Sequence, residues 1–364
     1  LILLAALTAV VAVSCTQDGK KYVVSGTSPE DAALVYLVDQ ITNEPVDSAF
    51  VADGAFAFKG KADENDLMGV RYADRKISRW VGQFFNDGVP VTVDFAGKTV
   101  AGSDLNNQLN KCKQTVAEAE KVFDEYYGAF SKLPEAERAA KRDEYREAYD
   151  AMRSAYQDVI EGNLDNLVPV AFVNAVPSTL GEERYQELLA SDCPFANHPY
   201  VKEYQRKQEE AAERRKEMEE KKAAVVGQPF LDLEEADPDG NLHKLSEYAG
   251  KGKWVLVDFW ASWCGPCKRE MPNVVAAYKK YHKKGFDIVG LSFDREKDAW
   301  VKAISEWGMP WIHLSDLKFW DTVASDVYTV NAIPDNILID PEGTVVARDL
   351  RGEALEEKLS EIFR

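Results

Sequence analysis

Cys264 and Cys267 follow directly on the apolar run Trp254–Trp260 and open a stretch of helical character. A buried strand running straight into a helix is the mark of a layered α/β fold. The same junction is a chemical device. The start of a helix presents N–H groups with no intrahelical partner and a partial positive charge, and both stabilise a thiolate at Cys264. Two intervening residues let Cys267 reach back to a disulfide formed at Cys264, and Pro266 removes an N–H only where it had no partner. The competing reading is half of a zinc site, which needs two further ligands. The four histidines, His198, His243, His282 and His313, form no paired ligand motif. The expectation is therefore thiol–disulfide exchange with no metal and no cofactor.

The remaining cysteines are Cys15, Cys112 and Cys193, and five in 364 residues are too few for a disulfide scaffold. Cys112 and Cys193 either pair in an oxidising compartment or, as their positions favour, remain small unpaired hydrophobes.

From about residue 225 onward, β and α character alternate: strands at 254–260, 286–293, 310–314, 336–339 and 344–349, with helices at 264–284, 298–307 and 353–363. The stretch 257–268, Val-Asp-Phe-Trp-Ala-Ser-Trp-Cys-Gly-Pro-Cys-Lys, resembles the active-site signature of the thioredoxin superfamily, in particular the TlpA/ResA-like envelope thiol–disulfide oxidoreductases. Pro272 matches that family's helix-kinking proline, and Ala332-Ile333-Pro334 its cis-proline segment. The resemblance implies a thioredoxin fold over 225–364, with 298–314 as an inserted element. It also implies catalytic roles for Cys264, Cys267, Pro334 and a buried Asp258, which would take a proton from Cys267. Trp263, Gly265, Pro266 and the Ile333 backbone are then the expected substrate contacts. Asp335 and Asn336 stand where the family usually has threonines, and an acid at 335 is expected to oppose the Cys264 thiolate or select a basic substrate.

Ahead of this region, residues 20–104 hold short apolar runs separated by turn residues, which predicts an antiparallel β-sandwich. Asp53-Gly54 marks a two-residue hairpin turn. Residues 105–224 turn helical, and 202–222, almost wholly charged with both signs mixed, reads as a solvated linker helix. The overall expectation is a multidomain chain: a β-sandwich, a central α-helical region and a C-terminal α/β domain.

Residues 1–13 are apolar apart from Thr8, and Ser14-Cys15 follows. The run falls short of the ~20 residues that cross a bilayer. It resembles a bacterial lipoprotein signal, although Ala12 replaces the usual leucine. That predicts a signal and tether over 1–19, lipid attachment at Cys15, and a place in the cell envelope facing the periplasm or exterior. A formal net charge of −18 argues against nucleic acid as a partner. The expected partners are disulfide-bonded envelope proteins as substrates and a membrane thiol–disulfide electron donor. Two alternatives are an envelope binding or assembly protein with an accessory redox module, and a thiol peroxidase. The second lacks the Thr and Pro that should precede its cysteine, since Ala261, Ser262 and Trp263 occupy that stretch.

Overall fold

The computed structural model describes residues 19–364, so Cys15 and the rest of the predicted signal lie outside the described residues. The chain divides into two compact units, one ending at Glu209 and one spanning Glu210–Arg364.

The first unit begins with β1 (Lys20–Thr27), β2 (Leu34–Asp39), β3 (Pro45–Phe50), β4 (Ala55–Ala62), β5 (Leu67–Tyr72), β6 (Gly82–Phe85), β7 (Val91–Asp94) and β8 (Thr99–Ala101). They form two four-stranded sheets, ordered β4-β1-β7-β8 and β3-β2-β5-β6. Alternate residues point inward, and Val24, Phe58 and Val93 of one sheet share a core with Leu37, Val70 and Phe84 of the other. Asp53 and Gly54 both have positive φ, and Ala52 and Ala55 exchange hydrogen bonds of 2.9 and 3.0 Å across them, as the hairpin reading requires. The sheets are not wholly antiparallel. β1 runs parallel to β7, Val24 opposite Val91, because the chain passes through the other sheet between them and returns in the same direction.

Helices follow: α1 (Asp104–Phe130), α2 (Glu135–Ala140), α3 (Arg142–Glu161), α4 (Val176–Leu180), α5 (Glu182–Leu189), α6 (Pro194–Asn197) and α7 (Pro199–Ala224). Ser103 caps α1 by accepting from Asn106 N–H at 3.2 Å. Buried Asn106 bonds both backbone groups of Phe85, at 2.7 and 3.0 Å, and so fixes α1 to β6. Leu109, Val116, Ile160 and Val170 share a second core with Leu67 and Phe85, which makes helices and sheets one unit. Cys112 and Cys193 are free thiols, the first buried. On α7 the one side chain buried among the described residues is Val201, in keeping with a solvated helix.

The second unit adds β9 (Glu234–Ala236), β10 (Leu242–Lys244), β11 (Trp254–Trp260), α8 (Gly265–Tyr281), β12 (Phe286–Ser292), α9 (Lys297–Glu306), β13 (Ile312–Leu314), α10 (Val323–Tyr328), β14 (Asp335–Ile339), β15 (Val345–Arg348) and α11 (Glu353–Ile362). The five-stranded sheet has the order β13-β12-β11-β14-β15, with β11 in the middle, parallel to β12 and antiparallel to β14. Gly290 of β12 has to be glycine: a Cβ there would lie 2.5 Å from the His313 ring and 3.0 Å from Trp260 Nε1.

Candidate active site

β11 carries the chain through the centre of the sheet and delivers it to the start of α8. Cys264 is the helix cap, its Sγ accepting from Cys267 N–H at 3.1 Å, and its carbonyl accepts from Lys268 N–H at 3.1 Å. The two cysteines form a disulfide. Trp263, Gly265 and Pro266 surround it on the exposed side. Cys264 itself is not exposed: it retains 4% of its surface and Cys267 1%. In the disulfide form Cys264 is covered almost as fully as Cys267.

The loop before Cys264 is pinned by a residue that sequence reasoning missed. Buried Asp294, just past β12, accepts from Ser262 N–H at 2.9 Å, Ser262 Oγ at 2.5 Å and Ser292 Oγ at 2.7 Å. Trp263 Nε1 donates to Phe293 O at 3.3 Å. The end of one strand thus holds the end of its neighbour.

The Ile333–Pro334 bond is cis. In the ladder Phe259 faces Asp335, so Pro334 lies one step on, level with Trp260 at the active-site end of β11. Pro334 O accepts from Arg351 Nη2 at 2.6 Å. Ile333 is half-buried and Ala332 exposed. Beside this loop opens a cleft of about 440 Å³, whose lining includes Glu219, Lys222, Ala332, Asp335, Arg348 and Arg351.

Asp258 lies in the ladder between Gly290 and Asn336. It is buried, its Oδ2 has no hydrogen-bond partner among the described residues, and its pKa is pushed up to about 7, chiefly by desolvation. The charges of Glu270 and Asp335 contribute to that rise, and Arg351 opposes it. Glu270 was also missed. It stands three residues after Cys267, on the same side of the helix, and accepts from Gly352 N–H at 2.7 Å.

Asp335 does not act as expected. Its carboxylate is taken by Arg348, at 2.6 Å from Nη2 and 3.1 Å from Nε, with Lys222 Nζ at 3.6 Å. Buried between two cations, it anchors the strand after the cis-proline, so the charge it presents towards a substrate is largely paired.

The AhpC/TSA family profile matches residues 226–348, and a domain of unknown function, DUF4369, matches 22–109. The thiol-disulfide oxidoreductase ResA of Geobacillus kaustophilus is 34% identical over 146 residues, spanning 39% of this chain and 81% of that protein. The chain belongs to the TlpA/ResA-like thiol–disulfide oxidoreductases of the thioredoxin superfamily. ResA of Bacillus subtilis is 34% identical over 110 residues, 30% of this chain and 59% of that protein. Among solved structures, the thioredoxin domain of a thiol-disulfide oxidoreductase from Bacteroides vulgatus is 34% identical, covering 38% of this chain and 98% of that one, with a TM-score of 0.36. As an oxidoreductase of this family, the chain has its dithiol and its buried carboxylate in one structural unit. Among the described residues no group of His, Cys, Asp and Glu could hold a metal ion.

Proposed function

We propose that the chain is a membrane-tethered reductase of disulfides in envelope proteins. The observation that carries this is the closure of Cys264 and Cys267 into a disulfide at the N-terminus of α8, on a central strand that buries a protonatable Asp258. In the reduced protein the Cys264 thiolate attacks one sulfur of a substrate disulfide, that S–S bond breaks, and the other substrate sulfur leaves as thiolate. Cys267 then loses its proton to the Asp258 carboxylate and attacks Cys264 in the mixed disulfide. The second substrate sulfur leaves, and two electrons have passed to the substrate. A membrane dithiol donor reduces Cys264–Cys267 again. The Gly265-Pro266 pair resembles reducing members of the superfamily and supports this direction. Exposed Trp263, Gly265 and Pro266 with the Ile333 backbone are the proposed substrate contacts, and cis-Pro334 the loop that presents Ile333.

Lipid at Cys15 is the proposed tether, and the proposed location is the outer face of a membrane. No described helix is long and apolar enough to cross one. The domain limits we propose from composition are 1–19, 20–104, 105–224 and 225–364, with the two N-terminal sheets as a sandwich and residues 210–224 packed with the C-terminal domain. Expected partners include no nucleic acid.

Expression of Cys267→Ala should accumulate covalent complexes that dissolve with dithiothreitol, and Cys264→Ser should reduce insulin at no more than background rate. Insulin reduction undiminished in Cys264→Ser would overturn the assignment.

A further inference from the structure

The segment between β13 and α10 lays aromatic rings against Trp263, the residue before Cys264. The Phe319 ring lies 5.0 Å from Trp263, and the Trp320 ring lies 6.1 Å from Trp263 and 5.2 Å from Phe293. The Arg295 guanidinium sits 4.4 Å over Phe319. These rings are not core: Trp263 keeps 47% of its surface, and Phe319 and Trp320 are each partly exposed.

The backbone beneath them is unusual. Leu317 and Phe319 have φ of +57° and +64°, a region that bulky L-residues rarely enter. Such residues persist where their surroundings over-determine them, and they concentrate at ligand clamps. Here the fixing bonds are visible. Ser315 Oγ accepts from Leu317 N–H at 3.1 Å, and the Asp316 carboxylate accepts from Lys318 N–H at 3.0 Å and Val323 N–H at 3.3 Å. Buried Thr322 donates to buried Glu235 on β9 at 3.0 Å. A plain connection gains nothing from two left-handed bulky residues. Their effect is to hold two rings next to Trp263, one residue from Cys264.

We propose that Trp263, Phe319, Trp320 and Arg295 form the docking surface for the substrate polypeptide, and that it takes an aromatic or large aliphatic side chain beside the substrate's disulfide cysteine. This rests on the reading of Cys264 and Cys267 as the reducing dithiol. With Arg295 over one face of Phe319, the partly exposed rings of Trp263 and Trp320 at tilted and edge-on angles leave ring surface for one more side chain. They adjoin the sulfur that receives the substrate, so the selected side chain and the attacked disulfide belong to one segment.

The test uses two synthetic disulfide peptides that differ only in having Phe or Ser next to one cysteine. The reduced full chain should reduce the Phe peptide with a kcat/KM about tenfold above that of the Ser peptide, the scale of one well-packed aromatic contact. In the double variant Phe319→Ser/Trp320→Ser the ratio should fall to within about twofold. Because the readout is a ratio within each protein, a loss of folded material cancels. A ratio near one in the unaltered chain, or a tenfold ratio surviving in the double variant, overturns the docking surface. Failure of the unaltered chain to reduce either peptide removes the dithiol reading, and the docking surface with it.

Discussion

Desolvation at the centre of the sheet keeps Asp258 protonated up to about pH 7, against 3.8 for the free side chain. The folded state therefore holds this proton more tightly than the unfolded chain does. The resulting stability is fully present below about pH 4 and is lost as pH rises through 7. Asp258→Asn has no such loss. At pH 8 the oxidised variant should be more stable than the oxidised parent by on the order of a few kcal/mol, with the gap closing towards pH 5. Urea denaturation at pH 5, 6, 7 and 8 measures it, and a pH-independent difference would dispose of the buried proton. The same substitution should slow resolution by Cys267 about tenfold or more while leaving the first attack by Cys264 nearly intact, as stopped-flow would show. Cys264 and Cys267 could be proposed from the sequence because their relation is local, the first turn of a helix, and Asp258 because the family resemblance points to an acid six residues before Cys264. Asp294 and Glu270 could not, because their partners, Ser262 and Gly352, lie 32 and 82 residues away.

The loop 349–352 between β15 and α11 joins the two halves of the site. Asn336 bonds Leu350 through both its amide groups, at 2.7 and 2.9 Å, Arg351 holds Pro334 O, and Gly352 N–H holds Glu270 on α8. Arg351 is also the cation that draws Asp258 back towards its ionised form. Arg351→Gln should accordingly move the midpoint of the pH–rate profile for resolution upward, because Asp258 then holds its proton to higher pH. The lost hydrogen bond should lower stability by about 1 kcal/mol. A lowered rate with an unmoved midpoint would mean that Arg351 serves the loop alone. Length helped an element to be legible without deciding it, since β13 and β15, of three and four residues, were expected at 310–314 and 344–349. β11, α8 and β12 have seven or more residues and a clear apolar pattern, and their expected limits lie within three residues of those observed. β8, β9 and β10 have three residues each, and β6 has four, too few to establish a period. The parallel β1–β7 pair was hidden for another reason: pairing direction depends on the path between strands and not on either strand.

At the scale of the whole chain, the compact units meet between Glu209 and Glu210, inside α7, whereas the change of composition that guided the sequence reading comes at about residue 225. Composition marks where charged surface gives way to apolar core, but contacts decide what folds together. The last turns of α7 are charged and still belong with the second unit. Lys222, with 15% of its side chain exposed, reaches the buried Asp335, and Val225 packs against the core of that unit. Just beyond, Gly227 N–H donates to Val345 O at 2.7 Å, and Val345 N–H donates to Gln228 O at 2.9 Å. A buried carboxylate that loses one of two cations is destabilised, though less than one left alone, and the apolar core surface uncovered by removing Val225 adds to that. A fragment of residues 210–364 should therefore unfold with a free energy roughly 1–2 kcal/mol above that of a fragment of 226–364. Both should reduce insulin, since the dithiol, Asp258 and Pro334 lie in each. Urea denaturation of the two oxidised fragments decides the comparison. Equal stabilities would put the working boundary at 225 and make the Lys222–Asp335 pair incidental, while the expected difference would make the end of α7 part of the catalytic unit.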